Sequence, residues 1–257
     1  MPLNPRVGEW RSRRVWLVGA STGIGAALAT RLLGRGARVA LSARSADRLA
    51  ALAGAQPEAL VLPLDVTRTE SFDAAHERIV ARWGGVDLAV YLAGVYTPTR
   101  AWELTVERAR AHVEANLMGA FAMLAAVLPP MLARGSGGVA LVSSVAGYRG
   151  LPKSLVYGPT KAALINLAEA LYLDLAPRGV ATYLINPGFV ETPLTAQNDF
   201  RMPAIISADA AAAEIVAGFE RGAFEIHFPK RFTGWLKALR HLPYAAYFPA
   251  IRKFTGL

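Results

Sequence analysis

Residues 14–33, RVWLVGASTGIGAALATRLL, join an apolar run to a helical pattern through a turn that holds Gly19, Gly23 and Gly25. The run reads as a strand buried on both faces, because its apolar residues are continuous instead of alternating. The glycines allow a tight turn, and a helix starting there offers backbone N–H groups with no intrahelical partner and a partial positive charge. A strand that passes into a helix in this way begins a βαβ unit. It commits the remaining strands to a parallel sheet with helices as crossovers.

The rest of the chain repeats that alternation. ARVALSAR, EALVLPLDV, VDLAVYLAG, GGVALVSSVAG, VATYLINPG and FEIHFP read as further strands. Helical patterns lie between them, with a long one over 101–134, another over 155–176 and a short one over 207–220. The segment after the third strand, TRTESFDAAHERIVARWGG, reads as a helix with Thr or Ser caps. The fold class is therefore α/β, a doubly wound parallel sheet of the Rossmann type, with ligands expected at the C-terminal strand ends. Residues 1–257 read as a single domain, with a core over 13–228 and a C-terminal helical extension over 229–257.

Several function classes are excluded by composition. The chain has no cysteine, so disulfides and cysteine-based metal sites are ruled out, and no metal is expected. The net charge of +9 sits at the ends: +3 over 1–14 and +5 over 220–257, against +1 for the 205 residues between. A nucleic-acid binder places its basic face on the fold itself, so no nucleic-acid partner is expected. MPLNPRVGEWRSRR has no apolar segment behind its charges and is not a signal peptide. NLMGAFAMLAAVLPPMLA, interrupted by glycine and two prolines, reads as a buried or interface helix. A cytoplasmic location is expected.

Chemistry enters at YGPTK, residues 157–161. Tyr157 and Lys161 are four apart and share a helix face. A free tyrosine, with a pKa of about 10, is a poor base near neutrality, and a neighbouring ammonium lowers that value. Pro159 fits the first helical turn, which needs no N–H there. Ser144 stands thirteen residues before Tyr157, with Ser143 beside it.

Taken together, GASTGIG, the serine pair and YGPTK resemble the short-chain dehydrogenase/reductase family over about residues 13–228. The resemblance implies a nicotinamide cofactor and a small-molecule carbonyl/alcohol substrate. It makes Tyr157 the acid or base and has Lys161 lower its pKa and bind the ribose. It has Ser144 hold the substrate oxygen and Asn116 of VEANLMG link Lys161 to a water-borne proton relay. For the cofactor it implies Gly19, Ser21, Thr22, Gly23, Ile24 and Gly25 in the turn. It adds Asp65 and Val66 after the third strand, Ala93 and Gly94 after the fourth, and Pro187, Gly188, Val190 and Thr192 after the sixth. Ala43 stands where an NAD-selective relative carries Asp, and Arg44 comes next, suited to a 2′-phosphate; NADP(H) is expected over NAD(H). A nucleotide-binding sensor or scaffold without turnover is the alternative reading.

The chain departs from the family pattern at two places that meet in relatives. Val18 replaces a threonine, and YLAG, residues 91–94, replaces Asn-Asn-Ala-Gly. Both read as having become apolar together, which costs little when both partners of a buried pair change. Tyr96, Trp102, Leu151, Phe189 and Met202 are the expected pocket wall for an apolar or bulky substrate. The resemblance also implies a homodimer or homotetramer through the helices at 101–134 and 155–176. In the extension, aromatics interleave with Lys237, Arg240, Arg252 and Lys253, a pattern able to make peripheral membrane contact. Packing over the pocket or against a neighbouring subunit is the other reading, and Pro243 and Pro249 are expected to break this stretch into short pieces.

Overall fold

The computed structural model describes residues 2–200 and 202–256. Seven parallel strands form one sheet in the order β3-β2-β1-β4-β5-β6-β7. They are β1 Arg14–Val18, β2 Arg38–Ala43, β3 Ala59–Pro63, β4 Leu88–Tyr91, β5 Gly137–Val142, β6 Val180–Pro187 and β7 Glu225–Phe228. Every strand predicted from an apolar run is present. The order reverses direction between β1 and β4, and a crevice opens at their C-terminal ends.

Helices α1 Gly23–Leu33, α2 Ala46–Ala53 and α7 Ala208–Arg221 cover one face, with Leu28, Leu32, Leu49, Ile215 and Phe219 in its core. Helices α3 Glu70–Trp83, α5 Gly119–Arg134 and α6 Tyr157–Leu175 cover the other, around Trp16, Phe72, Met123 and Leu164. The start of the chain also belongs to the fold. Val7 and Trp10 are buried, and Asn4 makes two hydrogen bonds with the backbone of Thr182 in β6.

Three local expectations change. The predicted helix over 101–134 is divided. A 3-10 turn at Ala101–Glu103 is followed by α4 Val106–Val113, which Thr105 caps, and a π-turn at Glu114–Met118 separates α4 from α5. The hydroxyl of Tyr91 sits at the widening. It donates to the Ala115 carbonyl at 2.6 Å and occupies the space a side chain at position 119 would need. Thr69 caps α3 by position only; Thr67 instead bonds Asp65, whose carboxylate accepts its N–H and hydroxyl at 3.0 and 2.9 Å.

The third change concerns the extension. It forms α8 Lys230–Arg240 and α9 Tyr244–Thr255. Pro243 separates them as expected, but Pro249 lies inside α9. The missing backbone bond is tolerated because α9 is held on both sides of the proline. Tyr247 is buried and donates to the Gly150 carbonyl at 2.8 Å, and Ile251 is buried one turn later.

Candidate active site

The turn after β1 is shaped by contact with the end of β4. Gly19 has φ +100°, and a Cβ there would lie 2.5 Å from the Ala93 nitrogen. Only glycine allows both that backbone and that approach. Helix α1 then begins with its N-terminus open. Thr22 caps none of its N–H groups through its side chain, and its first turn contains no acidic residue. An anion is the ligand that such a helix end favours.

This helix end forms part of an open cleft of about 1120 Å³ that runs across the C-terminal ends of the strands. All seventeen sequence-predicted cofactor residues line it: Gly19, Ser21, Thr22, Gly23, Ile24, Gly25, Arg44, Asp65, Val66, Ala93, Gly94, Tyr157, Lys161, Pro187, Gly188, Val190 and Thr192. Arg48, in the first turn of α2, joins Arg44 there. Opposite the glycine turn, the Thr192 hydroxyl and amide engage Thr195, and the Val190 carbonyl accepts the Thr195 hydroxyl at 2.5 Å. A cradle with free N–H groups at one side and two guanidinium groups at one end suits the phosphates of a dinucleotide.

Ser144, Tyr157 and Lys161 converge at the other end of the cleft. The two serines divide their tasks. Ser143 is buried and donates to the Lys161 carbonyl at 2.7 Å, which ties α6 to the end of β5. Ser144 faces the cleft, its oxygen accepting the Ala146 N–H at 3.1 Å. Lys161 is 4% exposed, and its Nζ donates to the Val142 carbonyl at 2.8 Å.

The expected lowering of the Tyr157 pKa by Lys161 is not realised in this arrangement. Burial pushes the phenol up to about 12; a hydrogen bond with Ser144 opposes the rise, and Tyr96 adds to it. Burial also pushes the Lys161 amine down to about 7, so near neutrality much of its charge is lost. Its Nζ lies 5.5 Å from the centre of the Tyr157 ring.

Asn116 stands behind this group. It is fully buried behind Gly94 and Val95 and does not line the cleft. Its amide accepts the Val95 N–H at 2.7 Å and donates to the Val95 carbonyl and to Thr160 Oγ1, each at 3.0 Å. Thr160 in turn donates to the Tyr157 carbonyl at 2.8 Å. Both amide protons are taken, so the side-chain amide serves structure and a link to water would run through the Asn116 backbone carbonyl. The side chain clamps the loop after β4 to the first turn of α6.

The sequence profile of the short chain dehydrogenase family matches residues 13–202. The chain belongs to the short-chain dehydrogenase family. It is 38% identical over 254 residues to an uncharacterized oxidoreductase of Myxococcus xanthus strain DK1622, covering 96% of this chain and 99% of that protein. A short-chain dehydrogenase from Streptomyces avermitilis superposes with a TM-score of 0.78 at 28% identity, over 94% of this chain and 95% of that one. A structure described as ribose-5-phosphate isomerase from Brucella melitensis 16M superposes with a TM-score of 0.76 at 28% identity, over 88% and 89%. The chain is accordingly an oxidoreductase, and the family implies a nicotinamide cofactor.

As a short-chain dehydrogenase, the protein departs from its family pattern through a polar residue. Tyr91, read as an apolar replacement, is fully buried, and its hydroxyl holds the π-turn that contains Asn116. Register pairs Val18 with Tyr91, so the Val18 side chain supplies packing there while its carbonyl accepts the Leu92 N–H at 2.8 Å. Sequence spacing carried no sign of this bond, nor of Thr160. The substrate end of this dehydrogenase is walled by Tyr96, Leu151, Phe189, Leu194 and Phe200. Tyr96 packs edge-on to Tyr157 at 5.0 Å and donates to Asn198 at 3.0 Å. Trp102 and Met202 are not in the wall: Trp102 is 80% exposed on its 3-10 turn, and the Met202 sulfur takes a contact from Asn198 instead. Ser154, buried with its hydroxyl unpartnered among the described residues, also lines this end.

Proposed function

We propose that this dehydrogenase transfers a hydride between NADP(H), used in preference to NAD(H), and the carbonyl or secondary alcohol carbon of an apolar or bulky small molecule. The observation that carries the reading is the convergence of Ser144, Tyr157 and Lys161 at the aromatic end of the cleft that the glycine turn and Arg44 begin.

When bound, the cofactor supplies or accepts the hydride. The open first turn of α1 would hold its phosphates, and Arg44 with Arg48 would hold a 2′-phosphate. In reduction, Tyr157 gives its proton to the carbonyl oxygen; in oxidation it takes the proton from the alcohol. The Ser144 hydroxyl holds the same oxygen as it gains charge. Lys161 would hold the cofactor's ribose hydroxyls, and in its charged form it would draw the phenol of Tyr157 down. Asn116, through Val95 and Thr160, keeps Tyr157 in place. Tyr96, Leu151, Phe189 and Phe200 favour apolar groups beside the carbonyl, and the free Ser154 hydroxyl favours one polar group among them. The open helix end and the paired guanidinium groups favour a dinucleotide enzyme over the isomerase chemistry named for one structural neighbour.

A panel of aliphatic, aryl and cyclic ketones with their alcohols, read by NADPH and NADH absorbance, tests the reading. NADPH-dependent turnover of apolar members is expected, and Tyr157→Phe should abolish it while NADPH still binds. Tight NADPH binding with no hydride transfer to any member would favour the sensor reading instead.

A further inference from the structure

The helical hairpin α8–α9 has two faces of different character. Its inner face belongs to the domain. Leu236 joins the core around Trp16 and Phe72, and Phe232 packs on Phe189 at 5.6 Å between ring centres. Arg149, from the loop between β5 and α6, donates to the carbonyls of Leu239, Arg240 and Leu242, which closes the end of α8. Its guanidinium also stacks on Tyr247 and Tyr244, 4.0 and 4.5 Å from the ring centres. The hairpin is therefore a fixed part of the fold, next to the substrate end of the cleft.

Its outer face is apolar and basic. Tyr244 is 67% exposed, Phe248 54%, Phe254 48% and Trp235 40%. These rings are held in an order of their own: Trp235 meets Phe254 at 4.4 Å, linking the two helices, and Tyr244 stacks on Phe248 at 5.5 Å. The two helices also carry six cations, Lys230, Arg231, Lys237, Arg240, Arg252 and Lys253, and residues 226–257 contain no Asp or Glu. Among the described residues, only Lys237 of these six has a carboxylate partner, Glu225.

We infer that the outer face of α8–α9 docks the enzyme on an anionic lipid surface. Exposed aromatic rings between cations match the interface of a bilayer, where rings sit at headgroup level and cations meet lipid phosphates. A second copy of the chain fits less well. A symmetric contact would bring this acid-free cationic face against itself, and like charges would oppose it. The inference stands apart from cofactor and substrate choice.

Removing the hairpin would strip Phe232 and Leu236 from the domain, so surface substitutions on the full chain are the cleaner test. The wild type should float with vesicles of equal phosphatidylcholine and phosphatidylglycerol, stay behind with pure phosphatidylcholine, and release at high salt. Arg252→Glu with Lys253→Glu should weaken partitioning on the order of 30-fold or more, since each basic residue near an anionic surface contributes roughly fivefold. Phe248→Ser should weaken it with the charge unchanged. Both variants should keep the wild-type melting temperature and NADPH affinity. Flotation by neither vesicle, equal flotation by both, or unchanged flotation of the charge-reversed variant would overturn the inference. So would a change in oligomeric state on charge reversal, which would assign the face to a second copy.

Discussion

Replacing Tyr91 by Phe removes one oxygen atom from the interior and leaves the ring in place. The hydroxyl lost is fully buried and is the donor to the Ala115 carbonyl at 2.6 Å, inside the π-turn. A buried carbonyl left without its donor costs about 1–3 kcal/mol. For a chain of 257 residues the entropy of unfolding is about 0.5 kcal/mol/K, so the melting temperature should fall by about 2–6 °C. Tyr172→Phe is the matched control. Its hydroxyl donates to the Leu3 carbonyl at 3.0 Å in an exposed setting, and its loss should move the midpoint by less than about 1 °C. The damage should also reach the active site, because Asn116 sits in the same π-turn and fixes Val95 and Thr160. We expect a lower kcat for Tyr91→Phe with near-native NADPH affinity. Scanning calorimetry of the three proteins, with turnover on the best panel substrate, is the assay. If Tyr91→Phe melts and turns over like Tyr172→Phe, the phenol does not hold the π-turn and the reasoning fails.

Three further outcomes are expected. Arg44→Ala should weaken NADPH binding at least tenfold more than NADH binding in calorimetric titration, through loss of a charge-assisted contact to the 2′-phosphate; equal losses would refute that role. Lys161 has a folded pKa of about 7 against an unfolded 10.5, so between those values the unfolded chain holds a proton the folded chain lacks. Stability should therefore rise with pH across that window, and the rise should flatten in Lys161→Met when melting temperature is followed from pH 7 to 10; parallel slopes would rule out the buried amine as its source. Light scattering at micromolar concentration should show a dimer or tetramer. Apolar residues stay exposed on or beside α4, α5 and α6, among them Val106, Phe121 and Leu173; a clean 27.4 kDa monomer would remove the proposal.

Local chemistry determined much of this protein before any fold was known. The buried strands had to be parallel because their apolar runs are continuous, and the glycines after β1 had to mark a turn that no Cβ permits. The four-residue step from Tyr157 to Lys161 placed both on one helix face, and the cleft gathers them with Ser144. These are properties of single segments, so they can be read from single segments. What the tertiary structure decided involves partners distant in sequence. Asn116 shows no structural partner in the sequence, and only the fold brings Val95 and Thr160 to its amide. Tyr91 reads as apolar until its hydroxyl meets Ala115, 24 residues away, where a helix that periodicity alone made continuous widens. Spacing favours Ser144 over Ser143 for the chemistry, and only the approach of α6 gives Ser143 its own task. Pro249 should end a helix, and packing of Tyr247 and Ile251 carries the helix through it. The pKa values of Tyr157 and Lys161 are set in the same way. Spacing predicts that the ammonium governs the phenol, but desolvation acts on both, and it depends on how much protein the folded chain brings around them.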